Sequence, residues 1–315
     1  MAFIGDKSRH ASAGNQGGGT DGFFQAGSAS LNKIIGISFS SSGYAEDWGS
    51  RTVARSTNAT ASTATHGYSM GGTIGSGVHY NVIDRFSFSS SGNATDVGNL
   101  TLTRSAADGA QSSTRGFTVG GSSGYATFTY NVIDAFTFAS SVNASDWGDT
   151  LNLQGCSGGN GWAGTCYSST NAYIFGGYQP CGGNWYNTNV ISVFSTSSTS
   201  NASSWGTMPS SGGSSATASS SSYGFSIAGT FGDVWRIAFA SGGASWCSLI
   251  TGRSTGGGGS THLGDDVLLS RYTSTTSTSV DKFSMASTST ATSWGDLSDV
   301  AMTGFEGGGA LQMDA

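Results

Sequence analysis

Asn81-Val82-Ile83-Asp84-Arg85-Phe86-Ser87-Phe88 returns about 50 residues later as Asn131-Val132-Ile133-Asp134-Ala135-Phe136-Thr137-Phe138. The run is a strand pattern. Alternate side chains of a strand share a face, so Ile83, Arg85 and Ser87 oppose Val82, Asp84, Phe86 and Phe88. The second face ends in two aromatic rings, suited to packing against a neighbouring sheet.

Working outward, two further elements recur in fixed order around this run. Before it stands a short aromatic strand closed by paired glycines: Gly67-Tyr68-Ser69-Met70-Gly71-Gly72, Gly116-Phe117-Thr118-Val119-Gly120-Gly121 and Ala172-Tyr173-Ile174-Phe175-Gly176-Gly177. Paired glycine permits positive φ and close backbone approach. After it stands Asn93-Ala94-Thr95-Asp96-Val97-Gly98, matched by Asn143-Ala144-Ser145-Asp146-Trp147-Gly148 and Asn201-Ala202-Ser203-Ser204-Trp205-Gly206. These read as a turn feeding an outer strand, with Trp capping its edge. Degenerate copies extend the series, and the marker position falls at Trp48, Val97, Trp147, Trp205, Trp246 and Trp294. A sheet of about four such strands cannot bury both faces alone, and a closed ring supplies every sheet with two neighbours. The expectation is a single all-β domain over 1–315: a six-bladed β-propeller of four-stranded antiparallel blades.

The repeats resemble the kelch repeat, in which a strand ending in Gly-Gly precedes an aromatic run and a Trp. The particular Asn-Val-Ile-Asp version also resembles repeats in proteins of marine bacteriophages, commonly fibre, tail or virion-surface components. That second resemblance implies a structural or adhesion protein on a virion surface, tail or fibre. Its partners would be other virion subunits and a host-surface glycan. An intracellular kelch-type adaptor is the alternative.

Composition narrows the chemistry. The chain holds 51 Gly and only 2 Pro, and its formal net charge is −6. No basic cluster is present to displace counterions, so a nucleic-acid partner is not expected. No stretch approaches the roughly 20 apolar residues of a membrane span, so membrane insertion is not expected either. The N-terminal residues lack the apolar segment of a secretory signal.

No catalytic set can be assembled, and no cofactor or metal is expected. His66 and His262 share a similar phase of the repeat but belong to copies two and six, while His10 and His79 match neither; the order of Asp, Trp and Gly differs from the sialidase turn Ser-x-Asp-x-Gly-x-x-Trp. Asp84, Asp134 and Asp281 share one repeat position. They read as hydrogen-bond acceptors for an adjacent turn, with cation binding the other reading. The sequons at Asn93, Asn143 and Asn201 coincide with the repeat turn, where Asn is expected for turn geometry.

The long fourth repeat supplies the ligand-binding candidates. One insertion carries Trp162; a second reads Tyr178-Gln179-Pro180-Cys181-Gly182-Gly183-Asn184-Trp185-Tyr186. Trp162, Tyr178, Trp185 and Tyr186 stand in Gly-rich loops, where aromatic rings stack on sugars or dock a partner; the other reading is that Trp162 and Trp185 cover the wide blade and plug its core. Cys156 and Cys166 flank the first insertion, either as reduced thiols filling core gaps or as a disulfide closing it. Both chain ends match the phase of one strand. The expected closure uses 297–308 as a strand beside the N-terminal blade, leaving 1–20 as an assembly arm.

Overall fold

The computed structural model describes residues 21–25, 32–43, 45–75, 77–123, 129–138, 143–151, 163–181, 184–209, 211, 214–228, 233–240, 244–249, 260–270, 279–286, 291–296 and 310–311. Among them the structure is all-β, arranged as four-stranded antiparallel sheets with two small side ribbons. No helix of the described residues is long and apolar enough to cross a membrane.

The first sheet contains β1 (Asp21–Gln25), β2 (Lys33–Ser38) and β3 (Glu46–Ser50). The second runs through β4 (Ala59–Ser62), β5 (His66–Met70), a side ribbon of β6 (Thr73–Gly75) and β7 (Val78–His79), then β8 (Val82–Ser87) and β9 (Thr95–Asn99). The third comprises β10 (Asp108–Gln111), β11 (Arg115–Val119), β12 (Val132–Thr137) and β13 (Ser145–Asp149). The fourth comprises β14 (Gly164–Tyr167), β15 (Asn171–Phe175), a ribbon of β16 (Tyr178–Cys181) and β17 (Asn184–Asn187), then β18 (Val190–Ser195) and β19 (Ser203–Thr207). β20 (Ser214–Ser219), β21 (Tyr223–Ala228), β22 (Asp233–Ala238) and β23 (Ala244–Leu249) make the fifth. β24 (Ser260–Leu263), β25 (Asp266–Ser270), β26 (Ser279–Ser284) and β27 (Thr292–Asp296) make the sixth.

The first sheet takes its fourth strand from the other end of the chain. β28 (Ala310–Leu311) pairs antiparallel with β1, Phe23 opposite Leu311 and Phe24 opposite Ala310. The closing segment expected at 297–308, and the arm expected at 1–20, lie outside the described residues; the pairing observed is at 310–311.

The recurrent sequence produces recurrent geometry. Every sheet carries an irregularity at one place in its third strand, between Ile34/Ile35, Ile83/Asp84, Ile133/Asp134, Ile191/Ser192, Val234/Trp235 and Val280/Asp281. A bulge there sharpens the local twist. The paired glycines adopt left-handed backbone: φ is 63° and 110° at Gly71 and Gly72, and 61° and 97° at Gly120 and Gly121. A Cβ on Gly72 would also lie 2.8 Å from the Ser56 carbonyl oxygen. Conformation and space both exclude a side chain at that position.

Aromatic rings fill the spaces between sheets. Phe86 and Phe88 of the second sheet lie against Phe23 of the first, centroids 5.7 and 4.7 Å apart. Phe136 and Phe138 of the third meet Tyr68 of the second in the same way. Phe194 meets Phe117, Phe239 stacks on Tyr173, and Phe283 meets Phe225. Each step joins the aromatic run of one sheet to the second strand of the sheet before it. Such rings bury the largest apolar areas in a core and add about 0.5–1.5 kcal/mol per pair beyond that burial.

The marker tryptophans bridge sheets rather than capping a free edge. The indole N–H of Trp48 donates to the Ser87 carbonyl oxygen at 2.8 Å, and that of Trp147 donates to the Ser195 carbonyl oxygen at 2.9 Å. Trp294 of the sixth sheet donates to the Ser38 carbonyl oxygen of the first at 2.9 Å. The turn asparagines act across the same boundaries. Oδ1 of Asn93, Asn143 and Asn201 accepts the backbone N–H of Ser50, Asn99 and Asp149, each in the preceding sheet.

First strands lie against first strands: β4 beside β10, β10 beside β14, β14 beside β20, and β20 beside β24. β24 in turn lies beside β1 and β28, and β28 beside β4. The approach is close. A Cβ on Gly109 of β10 would fall 1.8 Å from the Thr60 carbonyl oxygen of β4.

Candidate functional site

The carboxylates sharing a repeat position are buried and committed to structure. Asp84 is fully buried; its Oδ1 accepts the Thr52 hydroxyl at 2.6 Å. Its Oδ2 accepts the Thr52 backbone N–H at 3.1 Å and an Arg55 guanidinium N–H at 2.9 Å. Asp134 repeats the clamp: the Thr101 hydroxyl at 2.7 Å, the Thr101 N–H at 2.9 Å and Arg104 at 2.6 Å. The Thr and Arg stand on the linker entering the sheet, so each clamp locks one sheet to the segment that delivers it. Asp281 is equally buried. Charges removed from water this way are tolerated only when paired and hydrogen-bonded. Asp84 and Asp134 therefore serve the fold. Among the described residues no group of three or more His, Cys, Asp or Glu gathers that could hold a metal ion.

Three of the four insertion aromatics stand in strands rather than in loops. Tyr178 lies in β16, and Trp185 and Tyr186 lie in β17, which pair with Gln179 opposite Tyr186 and Pro180 opposite Trp185. Gly182-Gly183 between two strand-forming runs is the two-residue hairpin signal that accounts for the ribbon. Trp162 and Cys156 lie outside the described residues. Cys166 is a free thiol, completely buried in β14, its pKa pushed well up by burial and then by the nearby Asp108 charge. A thiol so placed is chemically quiet.

The site that sequence reading missed lies where the first two strands of several sheets turn. A cavity of roughly 540 Å3 is lined by Ser112 and Ser113 of the third sheet, Ser168 and Ser169 of the fourth, Ser220 and Ser221 of the fifth, and His262 and Asp265 of the sixth. Tyr167 and Ser219 complete its floor. The volume falls within the range of small-molecule sites. In each of the three serine turns the first hydroxyl is spent on the turn itself. Ser112 Oγ accepts the Arg115 N–H, Ser168 Oγ the Asn171 N–H, and Ser220 Oγ the Tyr223 N–H, at 3.1–3.2 Å. This local bond fixes the turn and leaves the next residue outermost. Ser113, Ser169 and Ser221 are accordingly exposed. Asp265, also exposed, stands in the sixth sheet's tighter turn, with Gly264 at φ 58°.

His262 is the one buried polar group of the lining without its full complement of partners. It is 2% exposed, and its Nδ1 has no hydrogen-bond partner. Burial pushes its pKa down to about 3, so the ring is neutral at physiological pH. A neutral imidazole offers one donor and one acceptor. Among the described residues the lining contains no Lys or Arg. The cavity and the aromatic ribbon lie at opposite ends of the fourth sheet, because the Ser168–Asn171 turn enters β15 and the ribbon leaves it.

The signal for this site was in plain view. Ser112-Ser113-Thr114, Ser168-Ser169-Thr170 and Ser220-Ser221-Ser222 recur at one repeat position, yet in so serine-rich a chain they do not stand out. No model of a known protein family matches the chain, and no curated protein matches it either.

Proposed function

We propose that the chain is a kelch-like, six-bladed β-propeller that serves as a rigid display and adhesion module, not as an enzyme. The succession of neighbouring first strands supports the closed ring. So do the Trp294–Ser38 bond between sixth and first sheets and the pairing of β28 with β1. The non-catalytic reading rests on one observation: the carboxylates at the repeated position, Asp84 and Asp134, are saturated by Thr and Arg, leaving neither open to a substrate. Such a scaffold carries its function on turns and insertions.

The ligand proposed is a host-surface glycan, with neighbouring virion subunits as the other partners. The virion setting rests on the likeness of the repeats alone. Low-resolution imaging of the purified chain, together with a glycan array, tests the proposal. A ring of six wedges and retention of at least one glycan class are the expected results. An open coil of sheets, or an array with no retained glycan, overturns it. Immunogold labelling of purified particles tests the setting: label on tails or fibres is expected, and its absence rejects that location.

A further inference from the structure

We infer that the serine-lined cavity at the turn end is the recognition site, and that it takes one uncharged, polyhydroxylated sugar ring. This rests on the adhesion reading above and deepens it: the glycan is assigned to the cavity rather than to the aromatic ribbon at the other end of the fourth sheet.

The chemistry of the lining selects the ligand. Ser113, Ser169 and Ser221 present hydroxyls from three successive sheets at equivalent positions, and Asp265 presents a carboxylate from the next. A sugar hydroxyl both donates and accepts, so it pairs with hydroxyls in either sense and donates to a carboxylate. The His262 ring borders the cavity with its Nδ1 unpartnered and closed to solvent, so a rotation of the ring would be needed to offer that nitrogen to a ligand hydroxyl. Charge excludes the competing classes. A phosphate, sulfate or sialic acid would meet Asp265 with no cation among the described lining residues to offset it. A largely apolar ligand would leave the serine hydroxyls and the imidazole stripped of water and unpaired. The volume is ample for a sugar ring with its substituents.

The test uses the purified full chain, a panel of methyl glycosides of neutral hexoses and N-acetylhexosamines, and sialylated and sulfated glycans as comparators. Ser169→Trp fills the cavity mouth from an exposed turn and spares the core. Asp265→Asn removes the one charge among the described lining residues, and Trp185→Ala removes an aromatic residue of the ribbon. We expect at least one neutral glycoside to bind and the acidic glycans to bind at least tenfold more weakly. Ser169→Trp should cut binding at least tenfold with an unchanged melting temperature, Asp265→Asn should weaken it severalfold, and Trp185→Ala should leave it unaltered. Binding that survives Ser169→Trp but is lost in Trp185→Ala overturns the cavity assignment and leaves the adhesion reading intact. Preference for acidic glycans overturns the ligand class. Retention of no glycan of either kind overturns both readings.

Discussion

Trp294 and Ser38 are 256 positions apart in the chain, yet the indole N–H of the first donates to the carbonyl oxygen of the second at 2.9 Å. The ammonium group of Lys282 lies 4.3 Å from the Trp294 ring centroid on the same side of that seam, donating to the Phe39 carbonyl oxygen at 3.1 Å. Trp294→Phe keeps a ring beneath the lysine and deletes the donor together with part of the indole. It should cost about 1 kcal/mol, lowering the melting temperature by roughly 2–4 °C. Trp294→Ala should cost several times more. Thermal unfolding of the two variants side by side checks the ranking; an unchanged melting temperature in Trp294→Phe would mean that the hydrogen bond contributes nothing at this seam.

The Arg55–Asp84 pair sets up a double-mutant cycle that the chain itself suggests. Counted from the marker tryptophans, the position of Arg55 and Arg104 is taken in the next copy by Gln154, and there the position of Asp84 and Asp134 is taken by Ser192. Charge is lost from both positions together. Asp84→Ser alone leaves a buried guanidinium without its counter-ion and should cost about 3–5 kcal/mol. Adding Arg55→Gln should cost no more than that single change, the coupling between the two sites offsetting the second substitution. Denaturant unfolding of both single variants and the double variant measures it. Strictly additive losses would contradict a charge-driven clamp.

Asp108 stands where the first strands crowd together, and burial raises its pKa to about 6, against opposing hydrogen bonds from Gly109, Thr165 and Thr217. The folded state thus holds a proton on Asp108 that the unfolded chain releases near pH 4. Between those values stability contributed by this group falls as pH rises, and above about pH 6 the full penalty remains. Part of the residue still meets solvent, so the penalty is at most about 2 kcal/mol. Asp108→Asn should therefore flatten the pH dependence of the melting temperature between pH 4 and 6 and raise stability at pH 7.5. A variant less stable than the parent at pH 7.5, with the slope unchanged, would remove Asp108 as its source.

Thr57 and Ala106 occupy equivalent places in two inter-sheet linkers, and both hold φ at 52°. A β-branched residue in that region is strained. Thr57→Gly relieves the strain and deletes a buried hydroxyl with no hydrogen-bond partner. It should stabilise by about 0.5–1 kcal/mol net of the added freedom of the unfolded chain, and Ala106→Gly by less. Chemical denaturation curves for the two variants test the order.

Much of this architecture was legible because the side chains that make the sheets also make the contacts between them. Phe86 and Phe88 announced both a strand and a neighbour, and Gly71-Gly72 announced the turn geometry later found. What escaped was whatever depends on a partner far away in sequence. Nothing local marks Thr52 and Arg55 as the groups that hold Asp84, or Trp48 as a donor to the following sheet. The aromatic insertion was misplaced in a loop because its glycines were taken as loop composition, when Gly182-Gly183 also suits a tight hairpin. The cavity was missed for a different reason. Its lining is mostly serine, contributed one or two residues at a time by separate sheets, and only the folded arrangement gathers them.

The partnership between β1 and β28 constrains how the molecule comes into being. During translation the opening sheet emerges early but lacks its last strand until residue 311 has left the ribosome. Meanwhile an unpaired edge that includes Phe23 and Phe24 stays open to other chains. Biogenesis should thus finish after synthesis, at a rate set by bringing distant ends together, and overcrowded expression should divert the product toward strand-exchanged assemblies.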